Sequence, residues 1–104
     1  MSVVYVVDLD RALGARMRVL FTTNRHEITD YAVVLLLVEQ EGDILTIRLY
    51  DGAHGINEMH RYTRKYGKQP AEVAHGGTLG EGMRTAIEQV KRSYIPMIEG
   101  WRTK

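Results

Sequence analysis

Alternation dominates the first two thirds of the chain. Residues 2–8, SVVYVVD, are dense in valine with one tyrosine and predict a first strand. After a turn over residues 10–14, residues 15–23 set Arg16, Arg18 and Leu20 against Met17, Val19 and Phe21, a second strand with one wet face. Residues 24–30 are polar and predict a connection. Residues 31–38 form an unbroken apolar run, whose length and valine content predict a central strand covered on both faces. Turn chemistry at Glu41, Gly42 and Asp43 leads into residues 44–51, where Leu45, Ile47 and Leu49 alternate with Thr46, Arg48 and Tyr50 to complete a hairpin. Residues 58–66 alternate again, but neither side is cleanly apolar, which predicts an edge strand or the wall of a groove. Residues 67–77 read as a loop with a short strand around 72–75.

The period then changes. Thr78-Leu79-Gly80-Glu81 has the form of a capping box, and Leu79, Met83, Ala86, Ile87, Val90, Tyr94, Met97, Ile98 and Trp101 follow at spacings of three and four. Pro96 removes a backbone donor inside this helix and predicts a kink or break near Tyr94 and Ile95. Strands in succession followed by one amphipathic helix predict an α+β fold. Its sheet is an antiparallel β-meander of about five strands with the C-terminal helix packed on one face. The other sheet face is then partly exposed, with Arg16, Arg18, Arg48 and members of the 58–66 strand expected to line it.

Composition narrows the picture. A chain of 104 residues is one domain, residues 1–104, with the hydrophobic and charged content of an ordinary globular protein. Its longest apolar run is far below the roughly 20 residues of a membrane helix. Nothing at the N-terminus resembles a signal peptide, so the expected location is cytoplasmic. The absence of cysteine excludes disulfides, thiolate zinc sites and cysteine nucleophiles. The net charge of +1 hides an asymmetry: residues 1–51 hold five basic and eight acidic side chains, and residues 52–104 nine and five. Within the second half, Arg61, Arg64, Lys65 and Lys68 alternate with Tyr62 and Tyr66 and no acid, the composition of an RNA contact surface. A charged, solvated edge strand accounts for the same composition without RNA.

Candidate chemistry concentrates in residues 50–62, YDGAHGINEMHRY. If strands 44–51 and 58–66 pair, Tyr50, Asp51, His54, Glu58, His60 and Arg48 are expected in one small volume. Two imidazoles beside an arginine can cleave RNA without a metal: one takes the 2′-hydroxyl proton and the other protonates the leaving 5′-oxygen, while the cation steadies the phosphorus. The candidate catalytic residues are His54 and His60 as base and acid in either order, Arg61 or Arg48 as phosphate clamp and Tyr62 as a positioning hydroxyl. RNA binding falls to Arg61, Arg64, Lys65, Tyr66 and Lys68. The simpler account is a decorated turn, with solvated histidines and with Asp51 and Glu58 capping or pairing locally. His75 is read as a loop residue, and His26 carries no assigned role. The spacing of His54 and His60 matches no recurring zinc pattern, and no metal or other cofactor is assigned. The glycine run before the helix lacks the lysine of a phosphate loop and reads as a flexible entry.

Arg48-Leu-Tyr-Asp51, Ala53-His54-Gly55 and His60-Arg61-Tyr62 resemble the motif of small bacterial proteins of the TumE toxin group, over residues 44–66. The resemblance implies a similar order of strands and helix, an antitoxin protein as partner and action on RNA or another block to growth. A neighbouring uncharacterised family fits the same motif. From a different class comes a non-catalytic interaction or dimerisation module acting through the open sheet face, and a homo-oligomer is expected; the Met83 to Trp101 stripe is core by default, with its extension by Met97 and Trp101 into a dimer contact as the alternative. A small-molecule or metal-binding protein is the third alternative.

Overall fold

The computed structural model describes all 104 residues. Its elements are β1 (Ser2–Asp10), β2 (Ala15–Asn24), β3 (Glu27–Val38), β4 (Ile44–Asp51), β5 (Asn57–Thr63), β6 (Gly67–Lys68), β7 (Glu72–His75) and α1 (Leu79–Arg102). The strands form one antiparallel sheet in the order β1-β2-β3-β4-β5-β6, with β7 also paired to β5. The α+β meander with a C-terminal helix on one face is thus the fold, with β6 and β7 as short additions.

The supposed connection between the second and third strands is itself a hairpin. Arg25 and His26 both take positive φ, 52° and 69°, so two residues reverse the chain and the ladder runs on to Asn24 and Glu27. Left-handed pairs of this kind are normally announced by Asn-Gly or Asp-Gly, and Arg-His gives no such signal. At the other end Gly14 (φ 83°) brings its backbone against β3: its carbonyl accepts from Val38 N–H at 2.8 Å, where a Cβ would strike the Val38 carbonyl.

One irregularity redirects the centre of the sheet. Between Leu35 and Leu36 the register of β3 against β4 slips, so Leu45 and Thr46 face Leu37 and Leu36, whereas Arg48, Leu49 and Tyr50 face Leu35, Val34 and Val33. Ile47 is the extra residue of the bulge. Arg48 and Tyr50 consequently turn toward the helix and Leu49 away from it, reversing the expected alternation of this strand.

The core is one layer between sheet and helix. Met17 and Val19 of β2, Tyr31, Val33, Leu35 and Leu37 of β3, Ile47 and Tyr50 of β4 and Met59 of β5 meet Met83, Ala86, Val90, Met97, Ile98 and Trp101 of the helix. Each of the valine, leucine, isoleucine and methionine side chains among them contributes about 1.5–3 kcal/mol on burial. Met97 and Trp101 are buried in this layer, as the core reading of the stripe has it, and the alternative of a dimer contact through them falls away. The capping box forms as the sequence requires: Glu81 N–H donates to Thr78 Oγ1 at 3.2 Å, and Thr78 N–H to Glu81 Oε1 at 3.3 Å. The Thr78 hydroxyl also donates to Glu81 Oε1 at 3.0 Å, and this bond, with that from the Thr78 N–H second, lowers the Glu81 pKa. Pro96 stays inside the helix, and the distortion falls on Ser93 (φ −128°, ψ 18°), one residue before the expected span. Pro96 cannot donate to the carbonyl of Arg92, so the preceding turn opens.

Candidate functional site

The hairpin expected to gather the candidate residues does form, with Arg48, Leu49, Tyr50 and Asp51 opposite Arg61, His60, Met59 and Glu58. Its pleat divides them. Successive side chains point to opposite faces, so Arg48, Tyr50 and Arg61 share the helix side while His60, Leu49, Asp51 and Glu58 share the bare side. The single volume expected from the sequence is therefore replaced by two surfaces; the pairing of Leu49 with His60 separates them, and the bulge at Ile47 decides which of the two meets the helix.

His54 stands apart from both, exposed in the turn between β4 and β5, and makes no side-chain hydrogen bond. His60 is half-buried, its Nδ1 3.0 Å from the Gln69 carbonyl. A carbonyl only accepts, so in the neutral ring Nδ1 carries the proton and Nε2 the free lone pair. Tyr62 is half-buried and packs against the core cluster. No three His, Asp or Glu side chains are grouped to hold a metal ion.

The basic ribbon is folded rather than extended. Residues 64–66 form a turn, in which Tyr66 N–H donates to Thr63 Oγ1 at 2.9 Å, so the expected strand over 58–66 ends at Thr63. Arg61 pairs with Glu72 (Nε to Oε2, 3.2 Å) and Arg64 lies over Trp101 (5.8 Å to the ring centroid). Lys65 lies over Tyr66, and Lys68 is exposed on β6. The turn is tied down by the helix end, with Arg64 and Lys65 N–H groups donating to the carbonyls of Trp101 and Lys104.

Two surfaces carry features the sequence did not single out. On the bare face, Val4 and Val6 of β1, Leu20 of β2, Ala32, Val34 and Leu36 of β3 and Leu49 of β4 form a continuous apolar band, read from the registers. Val4 and Val6 are 57% and 55% exposed. The run over residues 31–38 was the available signal: its coverage on both faces was expected, and the chain covers one. Arg16 and Arg18 do line this face, whereas Arg48 does not.

The second surface is a cleft of about 320 Å³ beside the helix kink, lined by Arg48, Gln89, Ser93, Pro96 and Met97. Tyr50 Oη donates to Gln89 Oε1 at its edge, at 2.9 Å. A larger concavity of about 800 Å³ lies at the sheet end opposite the His54 turn; its four carboxylates, Asp8, Asp10, Glu39 and Glu41, balance four arginines. Between sheet and helix entry, buried Asn57 accepts from Tyr31 Oη at 2.8 Å and donates to the Gly77 and Thr78 carbonyls at 3.0 and 3.1 Å. Burial, with the charge of Asp51 second, raises the Tyr31 pKa to about 12.

The fold and these surfaces define a small α+β protein with one sheet face covered and one bare. No family model, curated protein or solved structure matches the chain.

Proposed function

We propose that this chain is an interaction module that dimerises through its bare sheet face, the occupant being a second copy of itself. The apolar band on β1 to β4 carries this reading, because β3 is apolar on both sides and the chain supplies one cover. Exposed apolar area of that continuity marks a contact surface.

Charge placement supports a self-partner. Arg18 lies on β2 to one side of β3, and Asp51 and Glu58 lie on β4 and β5 to the other. None of the three has an ion-pair partner within the chain; Asp8 pairs with Arg11 and Arg16, and Arg61 with Glu72. A two-fold axis along β3 lays β2 of one copy over β4 of the other and β1 over β5. Arg18 then lies over Leu49 and reaches diagonally along β4 to Asp51, with Glu58 one strand beyond, twice by symmetry, and the two sheets stack as an aligned sandwich. Val34→Glu, at the centre of the band, tests the reading by light scattering. A dimeric wild type and a folded, monomeric variant are expected; a wild type that stays monomeric at high micromolar concentration overturns it.

RNA cleavage by a toxin-like protein with an antitoxin partner is the second reading, favoured by the tautomer of His60, whose free Nε2 suits a general base. The nearest arginine on its face is Arg18, three strands away at roughly 14 Å, so a phosphate clamp is lacking within one copy. Expression of the wild type and of a His54→Ala/His60→Ala variant, following growth and RNA integrity, decides it: arrest and cleavage in the wild type alone favour cleavage.

A further inference from the structure

Arg48 is the one charged side chain of the cleft beside the helix kink, and its Nε is buried without a hydrogen-bond partner. Its cross-strand neighbour is a second cation, Arg61, whose Nε is already engaged by Glu72. Like charges opposite each other on a ladder are unfavourable, and a buried unpaired guanidinium N–H adds to that cost. The charge also has no ion pair within the chain, and an external acceptor carrying negative charge on the terminal N–H groups of Arg48 relieves it.

The remaining walls define the rest of that acceptor. Tyr50 occupies Gln89 Oε1, which leaves the Gln89 amide N–H groups as donors, and Ser93 adds a hydroxyl. Pro96 and Met97 supply an apolar side. At about 320 Å³ the cleft lies at the small end of ligand pockets. We infer that this cleft binds a small carboxylate with an apolar body, its carboxylate on the Arg48 guanidinium and its body against Pro96 and Met97. One unpaired guanidinium matches a monoanion in charge and in planar geometry, whereas a phosphate dianion calls for further cations. The Pro96 kink has a purpose in this account, since the displaced turn at Ser93 is one wall of the cleft.

The test is a titration of the full chain with benzoate, acetate and inorganic phosphate, followed by amide and arginine Nε–H resonances. Saturable benzoate binding is expected, with shifts centred on Arg48 Nε–H, Gln89, Ser93 and Met97. Acetate, lacking the apolar body, binds more weakly, and phosphate more weakly than benzoate. Arg48→Gln weakens benzoate by about tenfold or more. Ser93→Val, which narrows the cleft and leaves Arg48 in place, weakens it likewise and serves if the first variant fails to fold. Absence of saturation, shifts elsewhere, unchanged affinity in the folded variants, or phosphate binding as tightly as benzoate overturns the assignment.

Discussion

Asn57 of β5 and Gly82 of the helix occupy one another's space: a Cβ at Gly82 would overlap Asn57 Oδ1, the atom that accepts from Tyr31. The amide thereby links β3 to the helix entry, and only glycine admits it. Gly82→Ala alone is expected to cost about 1–3 kcal/mol by overpacking. Asn57→Ala costs a similar ~1–3 kcal/mol, because the Tyr31 hydroxyl loses its acceptor in the core. In the Asn57→Ala background the sign of the glycine change reverses, and alanine stabilises by up to ~1 kcal/mol through helix propensity. Denaturant midpoints of the four proteins measure this coupling; additive losses would contradict it.

Tyr31 makes stability fall at high pH. Its pKa is about 12 in the fold against 10.0 in the free side chain, so the unfolded chain releases this proton first. The stabilisation is complete below pH 10 and is lost as pH rises through 12, a difference of roughly 2–3 kcal/mol. Unfolding free energies between pH 9 and 12 should show this slope, and Tyr31→Phe should remove it while costing about 1–3 kcal/mol at neutral pH through the orphaned Asn57.

The helix start responds to acid. The Thr78 hydroxyl and then the Thr78 N–H, both donating to the Glu81 carboxylate, lower its pKa, so its contribution is present above the ordinary carboxylate range and is lost as pH falls through the lowered value. Thr78→Ala is expected to cost about 1 kcal/mol at neutral pH and Glu81→Gln to flatten the acid limb. A limb unchanged by Glu81→Gln would show that other carboxylates govern it.

Local chemistry made the helix, its cap and the hairpin at residues 31–51 legible, because capping residues, a 3.6-residue period and a glycine turn each act over a few positions. The site was less legible because the register that sets Leu49 opposite His60, and so Arg48 and Tyr50 on the other face, and the bulge at Ile47 that turns those two to the helix leave no mark in composition. The β2–β3 turn was hidden by its Arg-His sequence. Residues 31–38 were expected to be covered on both faces; the helix covers one, because a single helix follows the sheet and packs on that side alone. Gln89 and Ser93 carried no signal, since their neighbourhood to Arg48 depends on the helix packing and its kink.

A charge exchange across the bare face tests the central claim most directly. In the two-fold arrangement Arg18→Glu alone, and Asp51→Arg/Glu58→Arg alone, each place like charges together and are expected to sediment at the single-chain mass of 11.9 kDa. Mixed in equal amounts, they restore every opposite-charge contact, and sedimentation equilibrium should give twice that mass, as for the wild type. A dimeric wild type whose mixed variants remain monomeric contradicts the two-fold along β3, and a monomeric wild type contradicts self-association through this face.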